Sequence, residues 1–213
     1  MAATIDPVAL AAALPAVAAE VVAARDRLCA LDGAIGDGDH GVTMALGWQA
    51  IADAVAPLDP AQAGFAGLLN TSAKAFLSAT GGSAGPLYAT ALMRAAAVAR
   101  DRPQLDGAGM AQLLRAAADG IAARGKATAG DKTMLDAWLP AAAAAEGAAA
   151  EGGDVGAVLA AAAAAAEAGA EATAAMQARL GRASRLGERS VGQPDPGAVS
   201  TALILRALER ALG

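Results

Sequence analysis

Alanine-rich segments separated by glycine and proline run along most of this sequence, and they limit how the chain can fold. Long examples are Ala141–Ala145 and Ala160–Ala166. Alanine is the strongest helix former, and its small side chain lets helices pack closely. Hydrophobic residues make up 56% of the chain and aromatic residues only 2%, so the core must consist mainly of Ala, Leu, Val and Met. Since no convincing run of β-branched and aromatic residues indicates a strand, the sequence predicts an all-α protein.

Helix start and stop signals divide the chain into eight predicted helices within a single domain, residues 1–213. Asp6–Pro7 and Asp195–Pro196 each place a capping acid before a proline, which is typical of a helix start. We expect Pro140 to kink the sixth helix without ending it. The predicted helices are approximately 7–29, 40–56, 62–79, 85–100, 106–124, 131–147, 154–180 and 195–213.

Composition excludes several classes of protein. The apolar stretches are mostly alanine interrupted by charged residues or glycine, so we expect no membrane span. The N-terminus lacks a basic segment followed by an apolar one, which argues against a signal peptide. The single cysteine, Cys29, most simply packs in the core and fits a reducing cytoplasm. A net charge of −5 without a broad basic face argues against nucleic-acid binding.

The joints between the predicted helices fall into two groups. Short connections favour antiparallel neighbours, so alternate joints should lie at the same end of the bundle. The joints after the first, third, fifth and seventh helices are LDGAIGDGDHG, ATGGSAGP, RGKATAGDKT and LGRASRLGERSVGQPDPG. They contain the clustered Asp, Ser, Lys and Arg residues, whereas the other joints resemble ordinary surface turns. The pattern therefore predicts one site at one end of the bundle.

The first of these joints contains three carboxylates, Asp32, Asp37 and Asp39. Such hard oxygen ligands suit Mg²⁺ or Ca²⁺. The alternative is that Asp37 and Asp39 cap the second helix while Asp32 is solvated. An EF-hand loop fits less well, because the twelfth position is Thr43 or Gln49 rather than Glu.

The lone histidine, His40, follows these acids directly. With no second histidine or cysteine-rich cluster, zinc is disfavoured. A nucleotide contact or a structural role for His40 is favoured over covalent catalysis.

The other joints have two interpretations each. Gly81–Gly85 leads into a helix and could present backbone N–H groups to an anion, or could simply stop one helix and restart another. Lys132 could be a surface lysine beside a plain helix cap. Met134 and Trp138 are one helical turn apart and are predicted as core, although Met134 could also contact a flat base. Arg182, Arg185 and Arg189 could complement the dipole at the end of the seventh helix.

Four motifs in register carry a family resemblance across nearly the whole chain. IGDGDHG, GGSAGPLYAT, RGKATAGDKTMLDAW and GRASRLGERSVGQPDPGA together resemble the nucleotide-binding L subunit of bacterial dihydroxyacetone kinase. The resemblance implies an antiparallel eight-helix barrel with a nucleotide, ADP or ATP, at one end. It also implies that Asp32, Asp37 and Asp39 hold two Mg²⁺ ions that bridge the nucleotide phosphates.

The remaining site residues are carried over from the same resemblance. Thr43 departs from the family, which usually has Asn there, and Ala84 stands where a hydroxyl is common. No catalytic residue is assigned within this chain. The implied nucleotide-binding residues are His40, Gly41 and Thr43 on the phosphate and ribose side, Ser83 and Ala84 in the phosphate loop, Gly125 and Met134 beside the adenine, and Arg182, Asp195 and Gly197 closing over the site.

The resemblance further implies partners. In the family, dihydroxyacetone is held covalently by a histidine of a separate K subunit. The nucleotide is either ADP, fixed and recharged by a phosphohistidine carrier (the M subunit of the sugar phosphotransferase system), or exchangeable ATP; a chain without a K domain favours the first. A regulatory binding module, a kinase domain for another small sugar or acyl group, and a homodimer are left open.

Overall fold

The computed structural model describes residues 4–213, and α-helices account for most of them. The first three residues of the predicted domain lie outside the described range. Within it, an all-α architecture is confirmed. The helices are α1 Pro7–Ala23, α2 Arg25–Ile35, α3 His40–Val55, α4 Pro60–Ala79, α5 Ala84–Val98, α6 Gly107–Gly125, α7 Leu135–Ala150, α8 Val155–Ala172 and α9 Pro196–Leu212.

Five of these helices begin at an aspartate whose carboxylate accepts a hydrogen bond from a backbone N–H two or three residues further on. Such caps satisfy donors that have no partner inside the helix. In three cases a proline follows directly, and its fixed φ angle suits the first helical position. The capping residues are Asp6, Asp59, Asp106, Asp154 and Asp195.

The first predicted helix is in fact two helices. α1 and α2 meet at Ala24 with a bend of 54°. α2 continues to Ile35, so Asp32 lies in the last turn of this helix. The sequence pattern instead predicts Asp32 in a loop. Counted together as one bent rod, α1 and α2 preserve the eight-rod order on which the alternate-joint prediction depends.

The joint before α7 and the end of α8 also differ from the prediction. α7 begins at Leu135 rather than near residue 131, because the Asp136 carboxylate accepts the N–H groups of Gly130 (2.5 Å) and Thr133 (2.8 Å) and holds the preceding loop open. α7 continues past Pro140, so the proline does not end it. α8 ends at Ala172 rather than near residue 180, and only short 3₁₀ turns follow, at Thr173–Ala175 and Ala183–Ser190.

A small antiparallel ribbon was not predicted. β1 (Thr4–Ile5) pairs with β2 (Leu105–Asp106), with Ile5 opposite Leu105. Strands of two residues are too short to produce an alternating pattern in the sequence. The ribbon attaches the start of the described chain to the start of α6.

The helices pack in chain order around a core of small apolar side chains. From α2 to α9 each helix contacts the next, and α1 packs against α3, α4 and α9. Met134 and Trp138 are buried, as predicted, whereas Cys29 is only half-buried. This order of contacts is the one an eight-helix barrel requires; the barrel shape itself stays a prediction.

α8 combines length with a largely apolar composition. Residues 155–175 are long and apolar enough to cross a membrane, with a mean hydropathy of 1.3. Core helices of soluble proteins meet the same criterion, and α8 packs between α7 and α9 with eight buried residues. The absence of a membrane span therefore stays a prediction.

Close packing of α7 and α8 depends on Gly169, and this dependence can be tested. A Cβ atom there would overlap the backbone oxygen of Asp136. We expect Gly169→Ala to lower the free energy of unfolding by about 1–3 kcal/mol. Gly147→Ala is the matched control, because a Cβ at this exposed glycine of α7 meets nothing within 4 Å. It should raise stability by up to about 1 kcal/mol through better helix propensity. Denaturant titration measures both, and equal effects would contradict the packing argument.

Candidate functional site

The four joints that the sequence predicted at one end of the bundle line a single cavity. These are the joints α2–α3, α4–α5, α6–α7 and α8–α9. The cavity has a volume of about 840 Å³ and both polar and apolar walls. The convergence of the alternate joints is therefore confirmed.

The acidic cluster lies on one wall of this cavity. Asp32, Asp37 and Asp39 each place a carboxylate oxygen within 4.8 Å of the others. The Asp32 carboxylate accepts the backbone N–H groups of Asp39 (2.9 Å) and His40 (3.1 Å), which are at the start of α3. Gly36 passes so close that a Cβ atom would overlap this carboxylate. Asp32 is thus held rigidly by the turn that follows it.

The alternative in which Asp37 and Asp39 cap α3 and Asp32 is solvated is wrong. Asp39 occupies the cap position of α3, but its side chain makes no capping hydrogen bond. The carboxylate that satisfies the first N–H groups of α3 belongs to Asp32, which that interpretation had treated as solvated. Asp37 and Asp39 are exposed, and neither side chain caps α3.

A positively charged side chain of the protein contacts the acidic cluster. The Arg182 guanidinium forms an ion pair with Asp37 and lies 3.8 Å from Asp39. Three acids this close repel one another, so they require positive charge nearby. Their oxygen-only donor set fits a divalent cation such as Mg²⁺. The predicted dipole role for Arg182 is wrong, because α8 ends ten residues earlier, at Ala172.

His40 joins the acidic cluster to α9. Its Nε2 lies 2.9 Å from Ser200 Oγ. Burial lowers the pKa of His40 below its usual value, although the charge of Asp32 acts in the opposite direction. The imidazole is therefore neutral at pH 7 and connects the beginnings of α3 and α9.

Gly41 does not line the cavity. A Cβ atom at this buried residue would overlap the backbone oxygen of Arg25 and would lie 2.8 Å from Cys29 Sγ. Gly41 therefore allows α2 and α3 to pack closely. The nucleotide contact that the resemblance implied for it stays a prediction.

The other residues predicted for the nucleotide do line the cavity. Ser83 and Ala84 are at the start of α5, after Gly82 with its positive φ of 68°. Gly197 allows α9 to begin close to Met134, since a Cβ there would lie 3.4 Å from the Met134 Cβ. The cavity-lining members of the predicted set are Asp32, Asp37, Asp39, His40, Thr43, Ser83, Ala84, Gly125, Met134, Arg182, Asp195 and Gly197.

Two buried charged residues were missed or misjudged from the sequence. Lys132 is not a surface lysine, because only 2% of it is exposed. Its Nζ donates to the carbonyl oxygens of Met176 (3.0 Å), Ser190 (2.6 Å) and Gln193 (2.7 Å). Asp136 is buried and organises the loop before α7. The left-handed backbone of Lys132, with φ of 61°, is not apparent from residue type.

Asp195 has the most perturbed carboxyl group of the cavity. Burial raises its pKa from an ordinary value of 3.8 to about 7, and the charge of Asp136 adds to the rise. The N–H of Ala198, which donates to Asp195 Oδ2 at 2.7 Å, and the charge of Lys132 partly oppose it. Burial also lowers the pKa of Lys132.

Together these features define an all-α domain in which an acidic, oxygen-rich cluster and a helix N-terminus face one cavity. Such a combination is typical of a site that binds a metal ion and phosphate groups. The DAK2 domain family model matches residues 34–210, so the chain belongs to that family. The predicted resemblance is thereby confirmed.

Relatives place the chain among kinases and kinase subunits. It is 40% identical over 181 residues to "PEP-dependent dihydroxyacetone kinase, ADP-binding subunit DhaL" of Escherichia coli, covering 85% of each chain. It is 36% identical over 208 residues to the L-erythrulose kinase of Pectobacterium atrosepticum, covering 94% of this chain and 35% of that protein.

A solved structure shares the fold. The dihydroxyacetone kinase from C. freundii, in complex with AMP-PNP and Mg²⁺, matches with a TM-score of 0.72 and 27% identity. The match covers 94% of this chain and 33% of that chain. The chain thus spans about a third of the length of this kinase and of the erythrulose kinase.

The raised pKa of Asp195 predicts that this residue lowers the free energy of unfolding in a pH-dependent way, whereas an asparagine at the same position would not. The folded state keeps a proton on Asp195 that the unfolded state loses, so this residue lowers stability as the pH rises from about 4 to about 7. Asp195→Asn keeps an oxygen for Ala198 N–H but does not titrate. We expect its stability relative to the wild type to improve by about 1 kcal/mol or more across this range.

Urea unfolding at a series of pH values, in the presence of a chelator, measures this difference. Asp154→Asn, at the start of α8 and away from the cavity, is the matched cap control. A difference between Asp195→Asn and the wild type that stays constant with pH would contradict the prediction.

Proposed function

We propose that this chain is the nucleotide-binding subunit of a dihydroxyacetone kinase. It binds ADP with Mg²⁺ in the four-joint cavity and takes part in phosphoryl transfer to dihydroxyacetone held by a partner K subunit. The observation that carries the proposal is the acidic cluster of Asp32, Asp37 and Asp39 opening into that cavity. The relative named as an ADP-binding dihydroxyacetone kinase subunit supports it.

The three aspartates are suited to hold the metal. Asp32 is fixed by the first N–H groups of α3, so its carboxylate is preorganised. Arg182 approaches Asp37 and Asp39 at one oxygen each, which leaves their other oxygens for a ligand. We propose two Mg²⁺ ions. When bound, they would supply the positive charge that the phosphates of a nucleotide need.

The remaining residues bind and orient the nucleotide. Arg182 is close enough to the cluster to donate to phosphate oxygens. The N-terminus of α5, with Ser83 and Ala84, can offer backbone N–H groups to the same phosphates. Gly125 and Met134 provide a wall for the base.

Other parts of the site act on the protein rather than on the substrate. His40, neutral and bonded to Ser200, orients α3 and α9 rather than carrying a phosphoryl group. Asp195 and Gly197 shape the wall formed by the start of α9. We assign no catalytic residue to this chain, because phosphoryl transfer depends mainly on positioning and charge stabilisation.

We propose that ADP is a fixed cofactor, recharged in the cytoplasm by a phosphohistidine carrier corresponding to the M subunit. The E. coli relative, described as PEP-dependent and ADP-binding, matches over 85% of its own length and supports this assignment. The alternative is an ATP-dependent kinase for dihydroxyacetone or a related small ketose. The match to an erythrulose kinase over 94% of this chain favours that alternative.

Asp37→Asn tests the metal assignment. Losing one anionic ligand should weaken Mg²⁺-dependent ADP binding by at least about 100-fold, because even outer partners of a metal site cost 10–100-fold when removed. Isothermal titration calorimetry with and without Mg²⁺ measures the effect, and circular dichroism verifies the helical content. Asp53→Asn, an exposed change further along α3, is the control and should bind as the wild type does. Unchanged affinity in Asp37→Asn would refute the assignment.

Native mass spectrometry of the freshly purified protein separates the two donor schemes. A fixed cofactor predicts ADP that survives dialysis and does not exchange with added ATP. An empty protein that takes up and exchanges ATP would instead support the ATP-dependent alternative.

A further inference from the structure

The buried Lys132 connects the two ends of one loop. We call residues 173–195, between α8 and α9, the arginine loop, because it contains Arg179, Arg182, Arg185 and Arg189. A lysine ammonium has three N–H donors and no acceptor. All three contacts of Lys132 Nζ are to backbone carbonyl oxygens of this loop, at Met176 near its beginning and at Ser190 and Gln193 near its end.

Further hydrogen bonds close the same base. Ser190 Oγ accepts the N–H of Ala178 (2.9 Å) and donates to the Gly187 carbonyl oxygen (2.6 Å). The N–H of Arg179 donates to the carbonyl oxygen of Asp131 at 3.1 Å, and Asp131 directly precedes Lys132. The base of the loop is therefore fastened both to itself and to the α6–α7 joint.

The tip of the loop has little else to hold it. Between residues 177 and 189 only Ala178 is buried. Arg182, at the tip, has a side chain that is 57% exposed and contacts Asp37 and Asp39. A segment with few buried apolar contacts takes its position from its anchors. Here the main side-chain anchors are the hydrogen bonds of Lys132 and Ser190. Backbone N–H groups add to them: Gly192 N–H donates to the Ala174 carbonyl oxygen (2.7 Å), and Asp195 N–H donates to Thr173 Oγ1 (2.8 Å).

We propose that Lys132 is the positioning residue for Arg182. By closing the base of the arginine loop, its ammonium holds Arg182 over the acidic cluster, where it meets the phosphates of the bound nucleotide. Lys132 lines the cavity, but all three of its N–H donors bond carbonyl oxygens of the protein, so its ammonium has none left for a ligand. The part of this proposal that concerns phosphates rests on the proposed function; the closure of the loop does not.

An arginine-specific protease tests loop closure without any ligand. In Lys132→Met, three carbonyl oxygens lose their common donor and the loop base opens. We expect cleavage after the four loop arginines to be at least about 10-fold faster than in the wild type, since local opening exposes the backbone. Lys126→Met, at an exposed lysine of the same joint outside the cavity lining, should be cleaved at the wild-type rate. An unchanged rate in Lys132→Met would overturn the proposal.

A double-mutant cycle then tests whether Lys132 acts through Arg182. The affinity for Mg²⁺–ADP is measured for Lys132→Met, Arg182→Ala and the double variant. If the lysine only positions the arginine, the double variant binds no more weakly than Arg182→Ala, because coupled residues are non-additive. Additive losses would show that Lys132 supports the site in some general way and would refute the positioning role.

A second variant protects the test against misfolding. Ser190→Ala removes two of the base hydrogen bonds but no charge, so it should produce the same effects at smaller size. If Lys132→Met does not fold, Ser190→Ala replaces it in both experiments, with the same results confirming or refuting the proposal. If the wild type fails to bind Mg²⁺–ADP, the proposed function falls, and the protease comparison still decides loop closure.

Discussion

The site depends on one carboxylate that serves as the cap of a neighbouring helix. Asp32, at the end of α2, accepts the first N–H groups of α3, and this contact fixes the turn that contains Asp37 and Asp39. Gly36 makes the turn tight enough, because any side chain there would collide with Asp32. The positive end of α3 also offsets part of the repulsion among the three acids. A single interaction thus sets the backbone geometry and the charge balance of the cluster.

Positive charge in this acidic protein is used in two different ways. Arg182 is exposed and faces the acidic cluster, whereas Lys132 is buried and its ammonium donates hydrogen bonds to three carbonyl oxygens. The difference suits their chemistry: a planar guanidinium is well shaped for carboxylates and phosphates, and a compact ammonium for converging carbonyl groups. One cation serves the ligand, and the other holds the loop that carries the first.

Much of this arrangement could be predicted from the sequence because it depends on local signals. Asp–Pro pairs start α1 and α9, and glycine-rich joints separate the helices, so the order of rods and the end at which the acids gather followed from counting. What failed depends on three-dimensional geometry that residue type does not show. The bend at Ala24 keeps Asp32 helical, and Asp136 delays the start of α7 by accepting the N–H groups of residues three and six positions earlier. The burial of Lys132 needs partners 44 to 61 positions away, which a pattern of neighbours cannot show.

The scarcity of aromatic residues has a practical consequence for spectroscopy. The chain has only two tryptophans, and both Trp48 and Trp138 are buried. Trp138 is one helical turn after Met134, which lines the cavity, while Trp48 lies two turns inside α3. Both indoles line the same apolar cavity in the interior of the bundle, so the tryptophan fluorescence of this protein comes entirely from the packed core. Replacing Trp48 with phenylalanine would leave Trp138, the indole one turn from the cavity-lining Met134, as the single tryptophan reporter.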